Sequence, residues 1–309
     1  MKNITPIFVL GIQRSGTTWM ANSLGGHPDV AAVEAEDHQG VHESIFFSHF
    51  AKGYGDLSDD ISYERFVRDF TASDYFILSG IPESWFRAVR PRTYPEAFQC
   101  LMDEVARRRG ARFWVEKSPH HTLLSWELAD AFPGARFVCV VRDPVTLIRS
   151  RLWAFGRKPP GYPARAASLL RACAAVSLYQ RHLATFAARC GRALLVSHDE
   201  MRADPAGTMK RVMEFVGADY HPAMLESRYR PNTSFTSNGE KDSAFGAADR
   251  ALVRVGTVLF GCAPLGWLRR VEESRSRRGG IDWPPWCWKR RPRPSSPAGR
   301  DGAHLASKT

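Results

Sequence analysis

Residues 11 to 18 read Gly-Ile-Gln-Arg-Ser-Gly-Thr-Thr and follow directly on the apolar run Ile7-Phe8-Val9-Leu10. A glycine-rich turn between a buried strand and a helix offers backbone N–H groups to an anion, and the helix N-terminus adds its dipole. Gly11, Gly16 and the Thr18 hydroxyl keep the spacing of the phosphate loop G-x-x-x-x-G-K-[ST]. In that loop Lys reaches the outer phosphates and the hydroxyl holds Mg²⁺. Here Thr17 takes the lysine position, and the cation stands inside the loop as Arg14. The loop is built for an anion other than the triphosphate end of Mg-ATP.

Two further places carry chemistry. Arg142 closes the apolar run Phe137-Val138-Cys139-Val140-Val141, and Ser150 follows eight residues later. An arginine at a strand end is a bidentate phosphate partner, although the pair taken alone also suits a helix cap and a surface hydroxyl. Glu116-Lys117-Ser118-Pro119 ends a second buried run, and Lys117 suits either an anion contact or a structural salt bridge. Ligands of open parallel sheets bind beyond the carboxyl ends of the strands, which is where all three places fall.

The elements that must position them alternate strand and helix, so the expected fold is α/β. It is a three-layer sandwich with a central parallel sheet. Strands are read at Ile7–Leu10, Arg112–Val115, Phe137–Val141 and Ala193–Val196, with a short one at Ile77–Ile81. Helices are read from Gly16 to Gly25, from about Tyr94 to Arg109, and after the Ser118-Pro119 cap to Pro133. Others open at Asp143-Pro144 and Asp204-Pro205 or span Ala164–Arg189 and roughly 247–260. One domain is expected over 1–268, followed by a basic, Pro- and Trp-rich tail over 269–309 that is expected to be poorly ordered.

The chain has 309 residues, 44% apolar and 24% charged, ordinary values for a globular enzyme. Of the net charge of +11, +7 belongs to residues 269–309, with eleven Lys/Arg against four Asp/Glu. A solvated or partly packed tail is one expectation; contact of its Trp and Arg residues with nucleic acid or another anionic surface is a second. No apolar stretch is long enough for a transmembrane helix, and with the first strand beginning so early a signal peptide is not expected. Six scattered Cys without a CxxC pair suit a reducing compartment, so a cytoplasmic location is expected.

Together the three places resemble the sulfotransferases that use 3′-phosphoadenosine 5′-phosphosulfate (PAPS), over roughly residues 4–218. That family's loop, [KR]-[ST]-G-T-T, is matched by Arg14-Ser15-Gly16-Thr17-Thr18, and Trp19 matches its adenine-stacking aromatic. Arg142 and Ser150 match its 3′-phosphate motif, and Lys117 its sulfuryl-contacting lysine. His198, in Ser197-His198-Asp199-Glu200-Met201, stands where the family has an adenine-edge Tyr. The resemblance implies a P-loop-like fold, PAPS as co-substrate and no metal requirement. It also implies in-line sulfuryl transfer to a hydroxyl or amine, with Arg14 and Lys117 stabilising the charge that develops. Arg14 rather than Lys suits the carbohydrate and protein-tyrosine branches, so the implied acceptor is a carbohydrate or other small molecule.

The general base is left between two carboxylates. Pro119 occupies the place of the soluble branch's catalytic His, with His120 and His121 just beyond. Among the glutamates after the first helix, Glu36 ranks first by position. Glu43 ranks second, standing three residues before Phe46-Phe47. Glu34, His38 and His42 are read as supporting residues, and Lys241 as the stand-in for an absent Arg-Lys-Gly motif. His38, His42 and His49 lack a second ligand set for a metal. Tyr54, Tyr75, Trp85, Trp153 and Tyr162 are candidates for shaping the acceptor pocket. The alternative activity, a P-loop phosphotransferase or NTPase, needs a Lys at 17 and a carboxylate for Mg²⁺.

Overall fold

A computed structural model describes residues 4–152, 154, 161–226, 228–229, 245–276 and 281–294. Strand β1 (Thr5–Leu10) leads through the Gly11–Gly16 loop into helix α1 (Thr17–Gly25). Strand β2 (Val30–Ala32) and a small antiparallel pair, β3 (Glu34–Ala35) with β4 (Gly40–Val41), come next. Four helices then form a cap: α2 (Asp60–Ala72), α3 (Asp74–Ser79), α4 (Glu83–Val89) and α5 (Tyr94–Arg108). The chain returns as β5 (Phe113–Lys117), α6 (Ser125–Ala131), β6 (Arg136–Val141) and α7 (Pro144–Leu152). The last units are α8 (Ala164–Arg189), β7 (Ala193–Ser197), α9 (His198–Ala203), α10 (Pro205–Val216), α11 (Ala247–Cys262) and α12 (Leu265–Ser276).

The main sheet runs β2-β5-β1-β6-β7, with every described pair parallel. Side chains alternate across it with the period of two that a strand imposes. Phe8, Leu10, Trp114, Phe137 and Cys139 enter one buried cluster, and Ile7, Val9, Val115, Val138 and Val140 enter the other. The first cluster is aromatic: Phe8 stacks on Phe137 at 5.5 Å and meets the Trp114 and Phe132 rings at 5.3 and 5.2 Å. The helical cap closes over it through Phe46, Phe66, Phe70 and Phe98. The second cluster is aliphatic and is covered by Met20 and Leu24 of α1 and Met209, Val212 and Val216 of α10. The expected three-layer α/β sandwich is therefore the fold.

Several local readings change. Residues 77–79 are helical, as part of α3, and no strand spans 77–81. A short apolar run carries no period, and the Ser73 cap, whose side chain accepts from Phe76 N, starts a helix instead. Strand β5 runs two residues past the expected Val115, so Glu116 and Lys117 belong to it and are 0% and 3% exposed. The segment after Ser118 is a 3-10 helix, Pro119–Leu124, before α6 begins. Tyr54 and Tyr75 are core residues, Trp85 packs beside that core, and Tyr162 is exposed. Trp153 and Lys241 lie outside the described residues.

Residues 281–294 do not form a loose tail. Cys287 is buried, and Trp283, Trp286 and Trp288 pack on the aromatic cluster, with the Trp283 ring 4.7 Å from Phe50. Prolines deny this segment a long helix but do not stop three indoles from burying apolar surface. Arg290 pins it, its backbone N at 2.9 Å and Nη1 at 2.6 Å from the fully buried Asp74 carboxylate. Helix α12 also runs across the boundary expected at 268.

Replacing Arg290 by Ala leaves Asp74 buried with one charge-assisted partner fewer. The expected cost is about 2 kcal/mol, read as a lower denaturant midpoint at unchanged slope. An unchanged midpoint would mean that the docked segment adds nothing to stability.

Candidate active site

The loop between β1 and α1 is held by backbone conformations that few sequences tolerate. Arg14 and Gly16 have φ of 74° and 106°, both left-handed, and Ser15 N donates to Ile12 O at 3.0 Å. A Cβ on Gly11 would lie 2.6 Å from Ser15 Oγ and 2.8 Å from Val140 O, so the turn admits only glycine there. Thr122 Oγ1 bridges Gly11 by accepting from its N–H and donating to its carbonyl, each at 3.0 Å. Helix α1 has no side-chain cap and no acid in its first turn, which leaves its N-terminal dipole for an external anion.

Neighbouring strand ends bring cations to this loop. Arg142, just past β6, donates through Nη1 to the Arg14 carbonyl at 3.0 Å. Arg14 Nε donates to Ser150 Oγ at 3.1 Å, two turns into α7. The three residues thus meet as the sequence predicts. Burial lowers both guanidinium pKa values; Asp199 opposes this at Arg142, and the nearness of Arg14 adds to it. From the end of β7, His198 lies over the loop, where a Cβ on Gly16 would come within 2.7 Å of its Cδ2. Its ring meets Trp19 edge-on at 5.8 Å. Burial, then Arg142, holds the His198 pKa below its usual 6.5.

Ser15 Oγ, Arg142 Nε and His198 Nδ1 are buried polar atoms without a hydrogen-bond partner among the described residues. Unsatisfied groups of this kind are rare in folded proteins. Three around one cationic, glycine-lined loop fit a polar, phosphate-bearing occupant.

The Lys117 side of the site is organised by β5, which pairs Lys117 with Val9, one residue short of the β1 end. Lys117 Nζ lies 2.9 Å from Glu43 Oε1. Glu36 sits exposed on the turn Glu36–His38. The geometry therefore favours Glu43 over Glu36 and reverses their order of rank.

Glu43 owes its place to a neighbour the sequence did not single out. Glu116, fully buried in β5, accepts from Ser44 Oγ at 2.7 Å and Ser118 Oγ at 2.5 Å through one oxygen, and meets His121 Nδ1 at 3.2 Å through the other. His121 Nε2 accepts from Phe47 N at 3.1 Å, which places the ring proton on Nδ1, facing the carboxylate. Ser118 Oγ also accepts from Ile45 N at 3.0 Å. Ile45 has φ of 45°, a costly conformation for a β-branched residue, retained because this network fixes the turn. Burial pushes the Glu116 pKa up, but His121 and the two hydroxyls outweigh it and hold it below the usual 4.5. A carboxylate inside an apolar strand was the available signal, since a buried charge must find partners.

Of the remaining candidates, the His38 and His42 rings stack at 3.9 Å under Trp286, and His49 turns toward His120. Among the described residues no three His, Cys, Asp or Glu side chains gather as a metal site.

The sequence model described as the sulfotransferase family matches residues 6–222. Heparan sulfate glucosamine 3-O-sulfotransferase 3B1 of Mus musculus is 25% identical over 229 residues, 70% of this chain and 47% of that protein. Heparan sulfate glucosamine 3-O-sulfotransferase 6 of Homo sapiens is 24% identical over 221 residues, 68% of this chain and 51% of that protein. The chain spans about half the length of the curated relatives it matches. Among solved structures, the sulfotransferase domain of the Synechococcus PCC 7002 olefin synthase aligns at a TM-score of 0.46 and 18% identity. It covers 89% of this chain and 96% of its own. A sulfotransferase from Alicyclobacillus acidocaldarius aligns at 0.44 and 19%, covering 86% and 99%.

Glu116→Gln turns an amide NH₂ toward groups that donate, at an expected cost of about 2 kcal/mol in denaturant unfolding. The sign of the pH effect follows from the lowered pKa. Wild-type stability from this group is complete above the usual 4.5 and is lost as pH falls through the lower folded value. The variant should lack that part of the acid limb; an identical acid limb would remove Glu116 from the account.

Proposed function

We propose, from the premise that the chain belongs to the sulfotransferase family, that it moves a sulfuryl group from PAPS to a carbohydrate hydroxyl. The observation that carries this reading is the pair of buried Lys117 and half-buried Glu43 at the strand end beside the Arg14 loop. The loop N–H groups, Arg14 and the α1 N-terminus suit the 5′-phosphosulfate. Arg142 and Ser150 suit the 3′-phosphate, and Trp19 with His198 suits the adenine. Bound PAPS supplies the sulfuryl group and departs as adenosine 3′,5′-bisphosphate.

The chain's own residues do the rest. Glu43 accepts the proton of the attacking hydroxyl, the general-base role. Lys117 fixes that carboxylate at 2.9 Å and, with Arg14, offers fixed positive charge where negative charge builds. Because the network around Glu116 already fixes the 43–45 turn, this arrangement needs little reorganisation at the moment of reaction. A carbohydrate acceptor is supported by the similarity to glucosamine 3-O-sulfotransferases and by Arg at position 14. A reducing, cytoplasmic location is supported by the six free cysteines.

Calorimetry with adenosine 3′,5′-bisphosphate beside Mg-ATP tests the donor. Binding of the bisphosphate with little response to ATP is expected, and Arg14→Ala and Arg142→Ala should each lose about 1.5–3 kcal/mol. Preference for Mg-ATP would sink the reading and favour a phosphotransferase. For the base, Glu43→Gln should keep bisphosphate binding yet slow transfer to a glucosamine oligosaccharide by about 10²–10⁴-fold. Glu36→Gln should stay near wild type. The opposite pattern would return the role to Glu36.

A further inference from the structure

Residues 281–294 lie outside the stretch 6–222 that the family model matches, yet they pack against the segment that carries Glu43, on both sides of it. On the side before Glu43, the Trp286 ring lies 5.2 Å from the His38 ring and 5.2 Å from the His42 ring. Lys289 and Arg290 reach the Asp37 carboxylate at 3.5 and 3.2 Å. On the side after it, Trp283 meets Phe50 at 4.7 Å, and His49 Nε2 lies 3.3 Å from the Asp282 carbonyl. A Cβ on Gly53 would come within 3.3 Å of Ile281 Cδ1. These contacts bracket the proposed base from both directions along the chain.

His42, fully buried and directly before Glu43, shows what the segment supplies. Its backbone N donates to Val33 O at 2.8 Å. Asn22 of α1 holds the neighbouring backbone, donating to Gln39 O at 2.9 Å and accepting from Val41 N at 2.8 Å. The His42 imidazole has no hydrogen-bond partner on either nitrogen among the described residues, so packing alone holds it. The rings around it are His38, stacked at 3.9 Å, Trp286, and Tyr75 at 6.1 Å. Rings packed in this way fix orientation as well as position. The Glu116 network holds the turn on the other side of Glu43, through Ser44, Ile45 and Phe47, and leaves His42 to this stack. The charges of Glu43 and Lys117 both act on His38, so the stack stands beside the pair.

We propose that the segment 281–294 is a positioning element of the active site, in which Trp286, through His42, sets the Glu43 carboxylate for proton transfer. The inference rests on Glu43 as the base of the reaction proposed above. A segment that served only to cover the aromatic cluster would need no more than Trp283 and Trp288, which both meet Phe50. Trp286 sits instead on the residue next to the base.

The test is a double-mutant cycle in the full chain, read as transfer from PAPS to a glucosamine oligosaccharide. Trp286→Ala should lower kcat by about 10–10²-fold, with the acceptor KM and the bisphosphate affinity near wild type. Trp286→Phe, which keeps a ring, should recover most of that loss. In the Glu43→Gln background Trp286→Ala should cost less than about twofold, because the base it positions is gone. An equal loss in both backgrounds overturns the proposal, since the indole then acts through the fold at large; so does an unchanged kcat. Should Trp286→Ala fail to bind the bisphosphate, Trp286→Leu keeps apolar bulk without the ring and puts the same question. Bisphosphate that does not bind the wild type, or a Glu43→Gln variant as fast as the wild type, overturns the reading of the reaction itself and this inference with it.

Discussion

The carboxylate of Glu116 is the constraint around which the site is arranged. A charge fully removed from water inside a parallel sheet is tolerated only when hydrogen bonds replace its hydration. Here they come from Ser118 and His121 just beyond the strand and from Ser44, 72 residues away in sequence. Satisfying Glu116 therefore also fixes the turn that carries Glu43. The next residue along the strand is Lys117, and the two consecutive charges form two separate networks. One is closed and structural; the other ends at Glu43, the base proposed for the transfer.

Much of this was legible in the sequence. The loop, the apolar strands and the cationic strand ends are local patterns with local causes, and the structure brings Arg14, Arg142, Ser150, Trp19 and His198 together as read. The choice between Glu36 and Glu43 was not legible by position. It rests on contacts 72 to 74 residues apart in sequence, between the Ser44–Phe47 turn and Glu116, Ser118 and His121. Ile77–Ile81 misled because five residues, Ile-Leu-Ser-Gly-Ile, are too few to show a period that separates a strand from a helix. The Trp-rich segment misled because proline and charge describe what backbone it can form, not what its indoles can cover.

The two faces of the sheet also divide the work. Flexible Met and β-branched side chains fill the side of α1 and α10, so α1 can be placed close under its glycine loop. Stacked and edge-on aromatic rings fill the other side and carry the helical cap, whose inner edge is the Phe46–Phe50 turn beside Glu43. Rings hold their packing partners through direction as well as contact. The site therefore lies at the seam between an aliphatic layer that admits close approach and an aromatic layer that fixes orientation.

The clasp between Arg290 and Asp74 joins residues 216 apart. On a ribosome the helical cap emerges 216 residues before its cation does, and until then the Asp74 carboxylate lacks Arg290. Trp283 and Trp288 arrive equally late over Phe50. A nascent chain halted before these residues presents a bare aromatic patch, the kind of exposed apolar surface that chaperones bind. The clasp thus closes the aromatic layer only after residues 283–290 have been made.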